Sequence, residues 1–233
     1  MNLKKESLFY FDCEWVPLTE TLEELQIVNS RLYDAFLHKA EKINDLARQD
    51  GKEYVEPKIL YKNKSHMYPE LCQIICVSYG YFNLGVFEIK SIYGSDEYKL
   101  LNSVATLFNM VDVKGFTLAG AAILRYDMPW LSKRMMINNI IPPKNLNMYG
   151  KKPWEITVFD LPEVWGQGCK SESYTTLELI CAALDIEGSK DDLTGFTVFQ
   201  AFLNGELERI KNYCEKDVLV TSKCINKLIQ LSY

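Results

Sequence analysis

Histidine is scarce in this chain, and net positive charge is absent. Only His38 and His66 occur among 233 residues, and the seven cysteines (Cys13, Cys72, Cys76, Cys169, Cys181, Cys214 and Cys224) form no C-x-x-C pair. That leaves no zinc site of ordinary ligand spacing, and an odd set of thiols without a pairing pattern is expected to be mostly buried and reduced. The formal net charge is -5 and the pI about 5.2. No global field therefore draws the protein to nucleic acid, and an anionic substrate has to be met by local charge, of which bound divalent metal is one source. No segment approaches the roughly 18 consecutive apolar residues of a membrane span. The opening "MNLKKESLFYFD" has no signal core with a cleavage site. Internal repeats and low-complexity linkers are also missing. These absences set a cytoplasmic location and no membrane partner as the expectation.

What is present suits a globular body. With 48% hydrophobic residues, the chain is long enough to bury a substantial core, and we expect one domain over residues 1–233 carrying an insertion at about 19–68. "SLFYFDCEWV" is dense in aromatic and β-favouring residues and stops at Pro17, so it reads as a central strand. Residues 20 to about 50 place Leu22, Leu25, Ile27, Leu32, Phe36, Leu37, Ile43 and Leu46 at helical spacing and end at Gly51. "CQIICVSYGYF" and "GVFEIKSIYG" flank Asn83-Leu84-Gly85, a hairpin signal weaker than Asn-Gly. Helical period returns in "EYKLLNSVATLFNMV", strand character in "KGFTLAG" and "EITVFD". "DMPWLSKRMMINN" reads as a helix with Pro129 in its first turn. Thr175 and Glu178 fit a capping box for "TTLELICAALD", and a long amphipathic helix closes the chain with Leu207, Ile210, Cys214, Val218, Cys224, Ile225 and Leu228 on one stripe. Hairpin strands followed by alternating helices and strands predict an α/β fold with a mixed sheet.

Two carboxylates interrupt the first strand. Positions i and i+2 share a face and lie about 6.6 Å apart along a strand, so Asp12 and Glu14 are placed to grip one divalent ion. The competing reading is an edge strand whose polar face looks at water. Phe9, Tyr10, Phe11 and Trp15 weigh against it, because a run apolar on both faces belongs inside a sheet, where bare charge is costly. Asp127 follows one predicted strand and opens a helix, where it either caps that helix or joins the other acids. Asp217 borders the buried stripe of the last helix and shares a face with Tyr213, four residues earlier.

D-x-E on the first strand, D-x-P-x-L in the middle and Y-x-x-x-D on a late helix, in that order, resemble the DEDD exonucleases of the ribonuclease H-like fold, in their tyrosine subtype. "KPWEITVFDL", "TTLELICAALDIEGSKDDLTGFTVFQAF" and "IKNYCEKDVL" look like the predicted 3′-5′ exonucleases related to the proofreading domain of family-B DNA polymerases. The likeness is densest from 115 to 222 and thinnest across the insertion. It implies a mixed five-stranded sheet flanked by helices, with a helical insertion after the first strand. It also implies two Mg²⁺ or Mn²⁺ ions, one held by Asp12, Glu14 and Asp217 and the second by Asp12 with Asp127. Such ions stabilise the attacking and leaving oxygens of an in-line displacement and prefer oxygen ligands. Tyr213 is implied to orient the attacking water. Asp12, Glu14, Asp127, Tyr213 and Asp217 are thus the expected catalytic set.

The sequence departs from the resemblance in places. The Asn common five residues before the central acid is Ala122 here. Trp15 follows Glu14 where Thr is frequent, and it serves either as core packing or as a stacking platform for the terminal base. Lys190 in "GSKDDLTG" is a substrate-side candidate set against simple exposure. Lys58, Lys62, Lys64, Lys133 and Arg134 are cations for phosphates or for a solvated surface. Cys13, between the two ligands, is expected to pack on the opposite face. The expected substrate is a single-stranded or frayed DNA 3′ end, with proofreading supplied to a polymerase in trans. RNA remains open as the alternative strand, and so does an inactive nucleic-acid-binding module.

Overall fold

In the computed structural model, which describes residues 4–168, 175–188, 193 and 197–232, the chain forms two compact units. One comprises Met1–Glu14 and Ile74–Tyr233, the other Trp15–Gln73.

The larger unit is organised by a five-stranded sheet in the order β3-β2-β1-β4-β5. Its strands are β1 (Leu8–Pro17), β2 (Cys72–Asn83), β3 (Val86–Tyr93), β4 (Thr117–Gly120) and β5 (Val158–Asp160). β2 and β3 form an antiparallel hairpin. β4 is parallel to both of its neighbours, in register Leu8↔Thr117 and Leu118↔Val158. The sheet is therefore mixed, as expected. The hairpin turns through Leu84 and Gly85 at φ 49° and 84°, the two left-handed residues of a tight turn that matches strand twist. "EITVFD" contributes only its last three residues to strand.

β1 shows the period-2 rule at work. On its odd face, Phe9 stacks on Tyr79 at 5.3 Å and Phe11 meets Phe108 edge-on at 5.1 Å; Phe108 lies on α4 (Glu97–Val113). On its even face, Leu8 and Tyr10 join Val218, Cys224 and Ile225 in one buried cluster. The Tyr10 hydroxyl donates to Asn226 Oδ1 at 2.9 Å. Those partners lie on α9 (Leu207–Ser232). Asp12 and Glu14, the next even residues, continue along that face.

α5 (Asp127–Ile137) starts at Asp127 itself. Short helices α6 (Leu161–Trp165), α7 (Leu177–Ala183) and α8 (Val198–Leu203) precede α9. α7 is capped by Thr176, whose side chain accepts from the Leu179 N–H, one residue later than the expected Thr175 box. Gly120, at the end of β4, has no room for a side chain. A Cβ there would meet Ile123 Cγ2 at 2.2 Å and the Phe11 carbonyl at 2.8 Å.

The smaller unit is helical. The expected continuous helix is two, α1 (Leu22–Val28) and α2 (Ser30–Gln49), followed by α3 (Pro57–Lys64). The break is Asn29, at φ -155°, which closes α1 and caps α2 by accepting from the Leu32 N–H. Apolar period alone does not reveal such a junction, because the stripe resumes on the far side. Thr21 and Glu24 form a complete capping box on α1. Leu25, Phe36, Ala40, Leu60 and Tyr61 make the unit's core, and buried Asn44 satisfies both the N–H and the C=O of Val55. No described helix is long and apolar enough to cross a membrane.

Candidate active site

Asp12 and Glu14 lie half-buried on the α9 side of β1. Facing them is the first half of α9. The Cys214 thiol donates to Asp12 Oδ2 at 3.3 Å, and donor atoms of Asp12, Glu14 and Cys214 all lie within 4.8 Å of one another. Asp127 is 4% exposed, and its Oδ1 accepts the Cys13 N–H at 2.8 Å. α5 is thereby tied to β1 beside its two acids.

Burial and mutual repulsion set the proton affinities of these acids. Asp12 is held well above the usual carboxylate range by burial and then by repulsion from Asp127, Glu14 and Asp217. Glu14 is raised by burial and then by Asp217. Burial pushes Asp127 up to about 7, against the backbone N–H bonds that favour its charged form. The Tyr213 phenol is raised by burial and then by Asp217, Glu14 and Asp12, so it stays protonated at neutral pH. The structure thus brings Asp12, Glu14, Asp127, Tyr213 and Asp217 into one electrostatic neighbourhood.

The remaining candidates fare differently. Trp15 turns into the helical unit, where its indole N–H donates to the His66 carbonyl at 2.9 Å, in keeping with packing rather than stacking on a base. Lys190 lies outside the described residues. Arg134 is neither a phosphate contact nor a solvated cation. It is 4% exposed and forks onto Glu97, with Nε to Oε1 at 2.9 Å and Nη2 to Oε2. Cys13 is buried, 4% exposed, and its thiol shares a hydrogen bond with the Asp127 carboxyl, so it packs against one of the acids. The six described cysteines are all buried.

Two contributors escaped sequence reasoning. Cys214 read as one more apolar position of the α9 stripe, although its place beside Tyr213 on a helix facing a D-x-E strand was a usable signal. Asp160, the last residue of β5, is 1% exposed and accepts the N–H groups of Ala122 at 2.7 Å and Leu124 at 2.9 Å. It clamps the loop that delivers Asp127. Within that loop Ala122 adopts φ 62°, a left-handed conformation in which Asn is more at ease than Ala. The Asn expected at this place thus has a backbone reason. Burial pushes the Asp160 carboxyl up to about 6, with the two N–H bonds pulling the other way.

The donor set suits a divalent cation. Buried carboxyl oxygens that raise one another's proton affinity are relieved by positive charge, and oxygens dominate over the single sulfur. Exonuclease domains of this type usually use divalent metals.

Comparisons place this geometry among known proteins. No curated protein sequence matches the chain. The family B DNA polymerase of the hyperthermophilic archaeon Pyrobaculum calidifontis is similar in structure, with a TM-score of 0.55 and 14% identity over 97% of this chain. The chain spans 25% of that polymerase, and the likeness shows the fold: an α/β, ribonuclease H-like mixed sheet flanked by helices. The model of predicted 3′-5′ exonucleases related to the exonuclease domain of PolB matches residues 64–225, more than half of the chain, and this protein belongs to that family.

Proposed function

We propose that this chain is a metal-dependent 3′-5′ exonuclease that releases nucleoside 5′-monophosphates from single-stranded or frayed DNA 3′ ends. The observation that carries the reading is the group of donor atoms of Asp12, Glu14 and Cys214 within 4.8 Å of one another, electrostatically coupled to Asp127 on α5 and to Asp217 and Tyr213 on α9. Asp12, Glu14 and Asp217 would hold one Mg²⁺ or Mn²⁺ ion, and Asp12 with Asp127 a second. When bound, such ions neutralise charge on the phosphate oxygens and make water a better nucleophile.

The chain's own residues set the geometry. The rigid strand fixes the spacing of Asp12 and Glu14. Asp127 is oriented by the Cys13 N–H, and Asp160 holds the loop before it. The Cys214 thiol, raised by burial, keeps its proton and donates it to Asp12, orienting that carboxylate instead of competing for the metal. Tyr213 keeps its phenolic proton, is hydrogen-bonded with Asp217, and would hold the attacking water through its hydroxyl.

Labelled DNA and RNA strands digested with Mg²⁺ or Mn²⁺ test the reading, together with Asp12→Ala and Tyr213→Phe. Asp12→Ala should fold and lose activity. Tyr213→Phe should lose about 10²- to 10⁴-fold in single-turnover rate while metal affinity stays near the parent's. Parental digestion by Asp12→Ala would refute the site. Preference for RNA would move the substrate to the ribose form.

A further inference from the structure

The chain carries -5 overall, yet residues 128–154 contain Lys133, Arg134, Lys144, Lys151 and Lys152 and no acid. That segment holds +5, so all other residues together hold -10. Arg134 is consumed by Glu97; the four lysines are exposed.

The same segment bounds a groove of about 540 Å³. Its lining includes Pro129, Lys133, Met136, Ile141, Met148 and Tyr149. At about 100° per residue, the α5 stripe 129-133-136 points away from Asp127, so this groove is separate from the acid cluster. Large groups of the segment stand in water: Tyr149 and Ile141 of the groove's lining are 94% and 88% exposed, and Trp154, outside that lining, is 76% exposed. The Lys152 ammonium sits 5.2 Å from the centre of the Trp154 ring. Aromatic faces alternating with cations are what an unpaired polyanion of stacked bases binds; the Glu155 carboxylate beside them accepts the Lys152 N–H at 2.8 Å.

We propose that the surface formed by residues 129–154 is an accessory binding site for single-stranded DNA, taking nucleotides that lie outside the acid cluster. Lys144, Lys151 and Lys152 meet phosphates, while Trp154 and Tyr149 offer ring faces to bases. The occupant is chosen by charge complementarity: this segment holds +5 on a chain whose net charge is -5. The proposal rests on the exonuclease reading, and it makes long strands bind better than short ones.

The test is fluorescence anisotropy of the full chain in EDTA with a 20-nucleotide single strand, run alongside digestion of a 4-nucleotide strand in Mg²⁺. Trp154→Ala should weaken 20-mer binding by at least about 5-fold. Combined Lys144→Glu, Lys151→Glu and Lys152→Glu should reduce the salt slope by about 2, near 0.7 per lost phosphate contact. Both variants should melt like the parent and digest the 4-mer at its rate. Parental 20-mer affinity in both would overturn the proposal while leaving the exonuclease reading intact, whereas failure of the parent to digest the 4-mer strikes that reading instead. Tighter binding of a 20-mer RNA than of DNA would overturn the choice of strand. Self-association lost in Tyr149→Ala, with DNA binding unchanged, would assign the groove to a protein partner.

Discussion

Glu97 and Asp160 are carboxylates removed from water whose charge the chain itself satisfies. Glu97 receives the Arg134 fork, the Asn138 amide and the Ile74 N–H; Asp160 receives two backbone N–H groups. Asp12 and Glu14 are set against further acids, and the Cys214 thiol favours the charged form of Asp12. The first arrangement locks elements together and is complete in itself. The second stores repulsion that a cation releases, which is how a fold holds a metal site ready without another protein group filling it.

The contrast breaks most visibly if a satisfied acid is orphaned. Arg134→Met leaves Glu97 nearly buried without its counter-charge and should cost about 3–5 kcal/mol in denaturant unfolding, far above an ordinary surface change. The cluster itself is read by pH. Its acids bind protons more tightly folded than unfolded, so metal-free stability is full below the unfolded carboxylate range near pH 4. It is lost as pH rises toward the folded value, about 7 for Asp127. The expected slope is about 1.4 kcal/mol per pH unit for each proton in excess, and saturating Mg²⁺ or Mn²⁺ should flatten it in thermal melts. A stability that rises over that interval without metal would place the acids apart.

Removing one charge from the cluster should have the opposite sign to Arg134→Met. Asp12→Asn is expected to stabilise the metal-free protein by on the order of 1–2 kcal/mol and to abolish the metal-induced rise in melting temperature. The smallest effect concerns the loop clamped by Asp160. Ala122→Asn should add roughly 1 kcal/mol by easing the left-handed residue, measured as a shift in denaturant midpoint at constant m value.

Local periodicity carried much of this into the sequence. Asp12 and Glu14 were readable because a strand's alternation puts them on one face, Tyr213 and Asp217 because a helix repeats near four residues, and Asp127 because it stands at a strand-to-helix junction. What stayed hidden depends on contacts between distant stretches. Nothing beside Arg134 announces Glu97, 37 positions away. Asp160 ends an ordinary-looking strand and satisfies amides 36 and 38 positions earlier. The split at Asn29 and the cap at Thr176 instead of Thr175 are local, but each turns on a single dihedral that composition does not encode.

The sequestered thiols give the protein an internal clock. A thiol reagent reaches a buried sulfur only when its surroundings open. Cys72, fully buried in the helical unit, and Cys13, Cys76, Cys181, Cys214 and Cys224 in the larger one will each be labelled at the rate of the opening that uncovers it. Mass spectrometry of alkylated peptides can therefore time the two units separately within one native sample, without any engineered label.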